Sequence, residues 1–578
     1  MSRIAILLAA CLAAASAGGA EEIDLAFGEK IPLRDGVRLN ATVFKPVGTS
    51  PLPVIFTLTP YVSDTYHARA TYFARHGYVF ALVDVRGRGT SDGVFEPFEH
   101  EGQDGYDVVE YLAKQAYCNG KVTMWGGSYA GFDQWATLKE FPPHLATIVP
   151  AAAAATGVDF PFVNGVAPPY LVQWRAYTGG LTPNLNLFLD QEFWISKFWR
   201  LYRAHEAFRG FDRLSGSPSE WFQKVLQHPT VDAYWKSMRP TPEDYGKITI
   251  PILTITGDYD DDQPGALSYY RSHMRLGTEE AKKKHYLLIG PWDHAGTRTP
   301  RREVGGLTFG EKSLLDLNDL HRQWYDYTMK GGPAPAFLQK RVTSYVVGKD
   351  EWVYSDSLEG LTSRTETLYL ASGAGARDVF HAGDLGKAKA LGSDAYVYDP
   401  LDTRPGERER VEIKDFLTDQ GLVLGLLGDG LVYHSDPFPE DREITGAVKL
   451  TLFLRMDVPD TDLGVFLYEV APDGGSVLLA SDLKRARYRE SLEEEHLVTP
   501  GAVLAYDFQS FNFFSRRLAK GSRLRLLVRA SNTVFLEKNY NSGGVVADET
   551  GASARTAHVS LVHDAAHPSA LTIPYGRP

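Results

Sequence analysis

The chain reads as an α/β protein in its first half, broken by a helical insertion, and as an all-β unit in its second. Three observations predict this. Short, almost wholly apolar runs alternate with segments of helical spacing up to residue 156 and again from 248 to 335, the pattern of a parallel sheet buried on both faces. From 157 to 247 the alternation stops, and Trp, Phe and Tyr crowd into helical stretches. From 336 to 578 short alternating segments are separated by Gly, Asp and Pro, which predicts a sandwich or jelly roll.

Residues 1–20 combine Arg3, an apolar stretch from Ile4 to Ala14 and small residues suited to cleavage. That is the plan of an export signal, so the protein is expected to be periplasmic or secreted. Leu8-Ala9-Ala10-Cys11 gives a second reading, lipidation at Cys11, ranked below simple export because the chain stays apolar past the cysteine. The stretch is too short to span a bilayer. No later run is long and apolar enough, so no integral membrane segment is expected.

The α/β part begins at 21. Asp35-Gly36, inside an alternating stretch, predicts a hairpin. Residues 53–61 and 78–87 read as buried strands, and 101–115 as a helix with Tyr106, Val109 and Leu112 on one face. Residues 121–126 are the next strand, 131–141 the next helix and 145–155 the next strand. The insertion at 157–247 is expected to cap a site on the sheet. Strands return at 248–260 and 283–294, and 314–332 is the last helix before the all-β unit.

With 578 residues the chain exceeds one ordinary core. Its 44% hydrophobic and 23% charged residues are those of a soluble globular protein. A formal net charge of −12 and the lack of a basic run argue against a nucleic-acid partner. Of the two cysteines, Cys11 would leave with the signal. Cys118 alone cannot form an internal disulfide and reads as buried filler.

Chemistry centres on Gly126-Gly127-Ser128-Tyr129-Ala130-Gly131, which follows a predicted strand and opens a predicted helix. A serine hydroxyl needs a base, a group to orient that base, and donors for the developing oxyanion. A strand-to-helix bend lifts the hydroxyl above the sheet, as in a nucleophile elbow. By itself the motif is weak, since a serine in such a turn can simply cap the helix. Its partners follow in order. Residues 254–265 place Asp258, Asp260, Asp261 and Asp262 just after a strand, and His294 follows the next strand. Ser, then Asp, then His is the chain order of an α/β-hydrolase. Any of the four carboxylates could be the acid at this level. The acidic cluster matches no calcium loop, and it could also face a substrate ammonium group.

These stretches resemble the family that groups cocaine-esterase-like (CocE/NonD) hydrolases with X-Pro dipeptidyl-peptidases and α-amino-acid ester hydrolases. The resemblance rests on Thr59-Pro60-Tyr61, on residues 84–95, 101–131, 257–260 and 290–294, and on 457–463 and 521–528 in the β part. It implies an α/β-hydrolase domain with a helical cap and a C-terminal jelly roll. It implies a triad of Ser128, Asp260 and His294, with Asp260 ending the family's Gly-x-x-Asp turn. The oxyanion donors it implies are the Tyr129 backbone N–H and the Tyr61 phenol. No metal or other cofactor is implied, and the partner expected is a small ester or amide; a homo-oligomer stays open. Family members acting on α-amino acyl groups hold the ammonium with several carboxylates. Here Asp262 falls at one such place, while Gln263 stands where another acid is expected and residues 157–170 lack the paired acids. Phe160, Phe162, Trp174 and Trp292 are expected to line an apolar acyl site. The reading is thus an esterase, with an aminopeptidase or amino-acid ester hydrolase, and a non-catalytic binding protein, as alternatives.

Overall fold

The computed structural model describes residues 22–48, 51–389, 391–409, 414–421 and 425–577. The expected signal at 1–20, with Cys11, lies outside them.

The first strands, β1 (Ile23–Pro32) and β2 (Arg38–Pro46), form the predicted hairpin around Asp35-Gly36. The strands after it are β3 (Leu52–Thr59), β4 (Val79–Asp84), β5 (Cys118–Ser128), β6 (Leu145–Ala153), β7 (Ile252–Tyr259) and β8 (His285–Asp293). Two short strands, β9 (Glu303–Val304) and β10 (Leu307–Thr308), pair with each other. A further pair, β11 (Val342–Val346) and β12 (Glu351–Ser355), completes a ten-stranded sheet of order β1-β2-β4-β3-β5-β6-β7-β8-β11-β12. From β4 to β11 neighbouring strands are parallel. All six residues of β4 are buried, as a strand covered on both faces requires.

Two expectations need correction here. Residues 341–348 were read with the all-β unit, yet β11 pairs with β8 and β12 with β11, so the α/β sheet runs past residue 335. Alternation alone does not say which sheet a strand joins. The helix Glu101–Ala113 buries Glu101, Asp104, Val108, Val109 and Leu112. Tyr106 lies outside that face, under the Arg34 guanidinium at 5.0 Å.

Between β6 and β7 the chain is helical, with Tyr170–Thr178 and Gln191–Ala204 among its helices. The segments from Arg364–Ala371 to Ala570–Tyr575 are the strands of a jelly roll with its own core, including Leu431, Leu452 and Leu526. This unit touches both others. Arg485, buried with Asp462 and Glu537 at 2.9 Å each, donates to the Gly165 carbonyl of the cap. Gln263 exchanges two hydrogen bonds with the Phe513 backbone, at 2.8 and 2.6 Å.

Candidate active site

Four parallel strands from the middle of the sheet, with β6 between the second and the third, deliver the polar groups at their carboxyl ends, where open α/β sheets place ligands. Tyr61 follows β3, Ser128 ends β5, Asp260 follows β7 and His294 follows β8.

Ser128 has φ 62° and ψ −126°, a strained conformation for a residue with a side chain. The glycines around it make the bend fit. A Cβ on Gly126 would stand 2.6 Å from Ala130 Cβ, and one on Gly131 2.7 Å from the Ala151 carbonyl oxygen. Ala130 is therefore accommodated by Gly126, and Gly131 lets the helix Tyr129–Leu138 lie against β6.

His294 Nδ1 is 2.8 Å from Asp260 Oδ1. Asp260 is fully buried, and it also accepts from the Asp262 amide (3.1 Å) and the Thr256 hydroxyl (2.9 Å). Of the four candidate carboxylates, Asp260 alone hydrogen-bonds the imidazole. Asp262 Oδ2 lies 3.7 Å from Nδ1. Asp258 is buried away from the cavity, towards Ser515, and burial pushes its carboxyl well above the usual range. Burial, then neighbouring Asp159, Asp260 and Asp261, push Asp262 the same way.

The Ser128 hydroxyl faces Tyr61 Oη at 3.5 Å and is not hydrogen-bonded to His294; both Ser128 and His294 line one cavity of about 270 Å³. Catalytic contacts of this kind often tighten only with substrate. The Trp174 indole N–H donates to Tyr61 Oη at 3.4 Å, which leaves the phenol proton free to point into the cavity. Burial pushes the phenol above its ordinary range and keeps it protonated. Tyr129 is the first residue of its helix, so its backbone N–H has no intrahelical acceptor. Its phenol donates to Glu101 at 2.6 Å and accepts from the Phe98 amide.

Phe160, Trp174 and Asp262 line the cavity as expected from sequence. Phe162 does not. The chain turns at Pro161, and Phe162 faces Trp235 and a separate cleft beside Arg485 and Tyr488. Trp292 does not either. It is fully buried over Gly290, where a Cβ would be 2.3 Å from its ring, and its N–H donates to the Ser313 carbonyl. Asp261, a candidate acid from sequence, lies in the wall, and neighbours missed by the sequence reading are Phe98 and Tyr170 in the wall, and Arg88 behind it. Arg88 is fully buried and binds the carbonyls of Pro60, Gly180 and Tyr177, which ties the Tyr61 turn to the end of the cap helix. Asp159, in the cap, lies electrostatically near Asp262, but its oxygens hold the amides of Ala155 (2.8 Å) and Gly265 (2.6 Å).

Residues 35–296 match the X-Pro dipeptidyl-peptidase (S15 family) model, and 330–572 the X-Pro dipeptidyl-peptidase C-terminal non-catalytic domain. Cocaine esterase of Rhodococcus sp. (strain MB1 Bresler) is 27% identical over 94% of this chain and 97% of its own. The chain belongs to the CocE/NonD family of serine hydrolases. Solved structures show the same fold. An α-amino acid ester hydrolase superposes with a TM-score of 0.83 at 21% identity, covering 97% of this chain and 98% of its own. A CocE/NonD family hydrolase from Staphylococcus aureus gives 0.66 at 17% identity, covering 96% and 94%. Within this fold, Ser128 and His294 line one cavity together with aromatic rings and the carboxylates of Asp261 and Asp262, while buried Asp260 holds His294 from behind.

Proposed function

We propose that the chain hydrolyses carboxylic esters through an acyl-enzyme on Ser128. The observation that carries this is the His294–Asp260 bond beside the strained serine. With Nδ1 committed to Asp260, Nε2 is the ring nitrogen left to take the Ser128 proton as the hydroxyl attacks the carbonyl. The charge then on the imidazole is balanced by Asp260. The oxyanion forms between the Tyr61 phenol and the Tyr129 amide. His294 returns the proton to the departing alcohol, and a water, activated the same way, frees the acid.

The acyl group lies against Phe98, Phe160 and Trp174. A second reading, hydrolysis of α-amino acyl esters or X-Pro peptides, is favoured by Asp262 in the wall. Against it, Gln263 is fully buried and its amide is taken up by Gly257 and Phe513. Gln263 adds no charge to the cavity, so plain esters are the better fit.

A fluorophosphonate should label Ser128, read by peptide mass. Ser128→Ala should lower kcat/KM on a panel of acyl esters about 10⁴-fold or more. Esters with a free α-amine should gain nothing over their plain counterparts. Turnover retained in purified Ser128→Ala would refute the assignment.

A further inference from the structure

Beside the Ser128 cavity lies a larger one of about 820 Å³, between residues 94–99 and the cap. No member of the triad lines it. Phe95, Leu187, Phe193, Trp194 and Trp221 give it apolar walls. Arg175 also lines it, on the helix Tyr170–Thr178 and adjacent in sequence to Trp174.

The Arg175 guanidinium sits 5.8 Å from the centre of the Phe95 ring. Among the described residues it has no hydrogen-bond or ion-pair partner, and its Nη1 is fully buried. A guanidinium keeps its charge under such conditions. Among the described residues nothing behind it balances that charge. Arg88 stands near, bonded only to backbone carbonyls, and each cation disfavours the other. The acids of this wall are engaged or outlying. Glu99 accepts from Lys224 (2.6 Å) and Tyr234 (2.8 Å), Glu96 lies 3.0 Å from His100 Nε2, and Glu220 is exposed.

A half-buried, unpaired cation is unfavourable until an anion meets it. A carboxylate matches the guanidinium fork with two parallel bonds, and the aromatic walls call for an apolar body attached to it. We propose that this cavity binds an organic monocarboxylate, with its charged end on Arg175 and its hydrocarbon body among Phe95, Trp194 and Trp221. The volume suits a small organic molecule. Only one layer of rings separates it from the Ser128 cavity. The Trp174 ring is 5.5 Å from Trp221 and 6.4 Å from Phe95, and its N–H bonds Tyr61. An occupant therefore presses on a residue that orients the oxyanion donor. It can be the acid released by the chain's own hydrolysis or an independent carboxylate.

Titration calorimetry of the full-length protein with 4-phenylbutyrate and with its neutral amide tests this. The acid should bind about tenfold tighter or more, and Arg175→Met should erase the preference. Ser128→Ala should bind as wild type does, so a failure of the catalytic assignment would leave this result intact. Ser217→Glu, on a surface loop of the same wall, should also weaken the acid, and it serves if Arg175→Met does not fold. Equal binding of acid and amide, unchanged binding in both variants, or loss of binding after fluorophosphonate labelling would overturn the proposal. The source of the occupant is read from progress curves on a 4-phenylbutyrate ester. Slowing by accumulated acid in wild type but not in Arg175→Met identifies the product as an occupant felt at Ser128, and superposable curves would overturn the coupling through Trp174.

Discussion

Two groups of buried acids flank the Ser128 bend, and they behave differently. At the end of β7, Asp260 accepts three hydrogen bonds, one of them from His294. Beneath Tyr129, Glu101 and Asp104 lie on one buried helix face with Asp133 opposite. Glu101 takes the Tyr129 phenol and Asp104 takes Arg86, at 2.6 and 2.5 Å. Neither oxygen of Asp133 has a partner among the described residues. Burial pushes Glu101 up to about 7 and Asp133 well above its ordinary range. Burial weighs against donors. Asp133, with none among the described residues, is driven toward the neutral form, and at Glu101 burial outweighs the Tyr129 hydroxyl and the His100 amide that it accepts from.

The sharpest way to break that contrast is within the β7 loop itself. Asp260→Asn should lower kcat about 10⁴-fold, because the imidazole loses its orienting charge. Asp262→Asn should change kcat on a neutral ester by no more than about fivefold, the scale of one partly solvated charge interaction. Steady-state kinetics of both variants decide it, and equal losses would mean that the two carboxylates share the role.

A smaller effect is expected from Tyr61→Phe. Removing one oxyanion donor should lower kcat by about 10²-fold to 10³-fold with little change in KM. A rise confined to KM would assign the phenol to substrate binding instead.

The smallest effect probes the Tyr129 side. Glu101 is raised from 4.5 to about 7 by burial. As pH rises through that window the unfolded chain ionises first, so the folded state loses stability between about 4.5 and 7. Glu101→Gln keeps an acceptor for the Tyr129 phenol and removes the titration. Its Tm relative to wild type should therefore improve from pH 5 to pH 8, and parallel melting curves across that range would refute the account.

How much of this was visible in the residues depended on distance along the chain. Ser128 and His294 announce themselves because each follows a run of apolar strand residues, and Asp260 comes from its Gly-x-x-Asp turn. The parallel sheet was legible for the same reason. Phe160 and Phe162 could not be told apart, since only the turn at Pro161 sends one inward and the other toward the jelly roll. Trp292 sits two residues before His294, yet the space above Gly290 draws its ring into the core. Arg88 and Arg175 gave no signal and Gln263 showed only as a missing acid, because what defines them comes from segments far away: Gly180 for Arg88, the Phe95 wall for Arg175, Phe513 for Gln263. The placement of β11 was hidden likewise, since its partner β8 is set by tertiary pairing.

The mutual clasp between Gln263 and Phe513 has a consequence for how the molecule comes into being. A ribosome that has passed residue 294 has already made every group that reacts, but the backbone on which the acid loop rests is more than two hundred positions from being synthesised. Asn512, which reaches the Asp260 carbonyl at 3.3 Å, arrives equally late. The nascent chain is thus complete in chemistry long before it is complete in support, and its reactive centre matures only when the far end of the polypeptide has folded back onto the beginning.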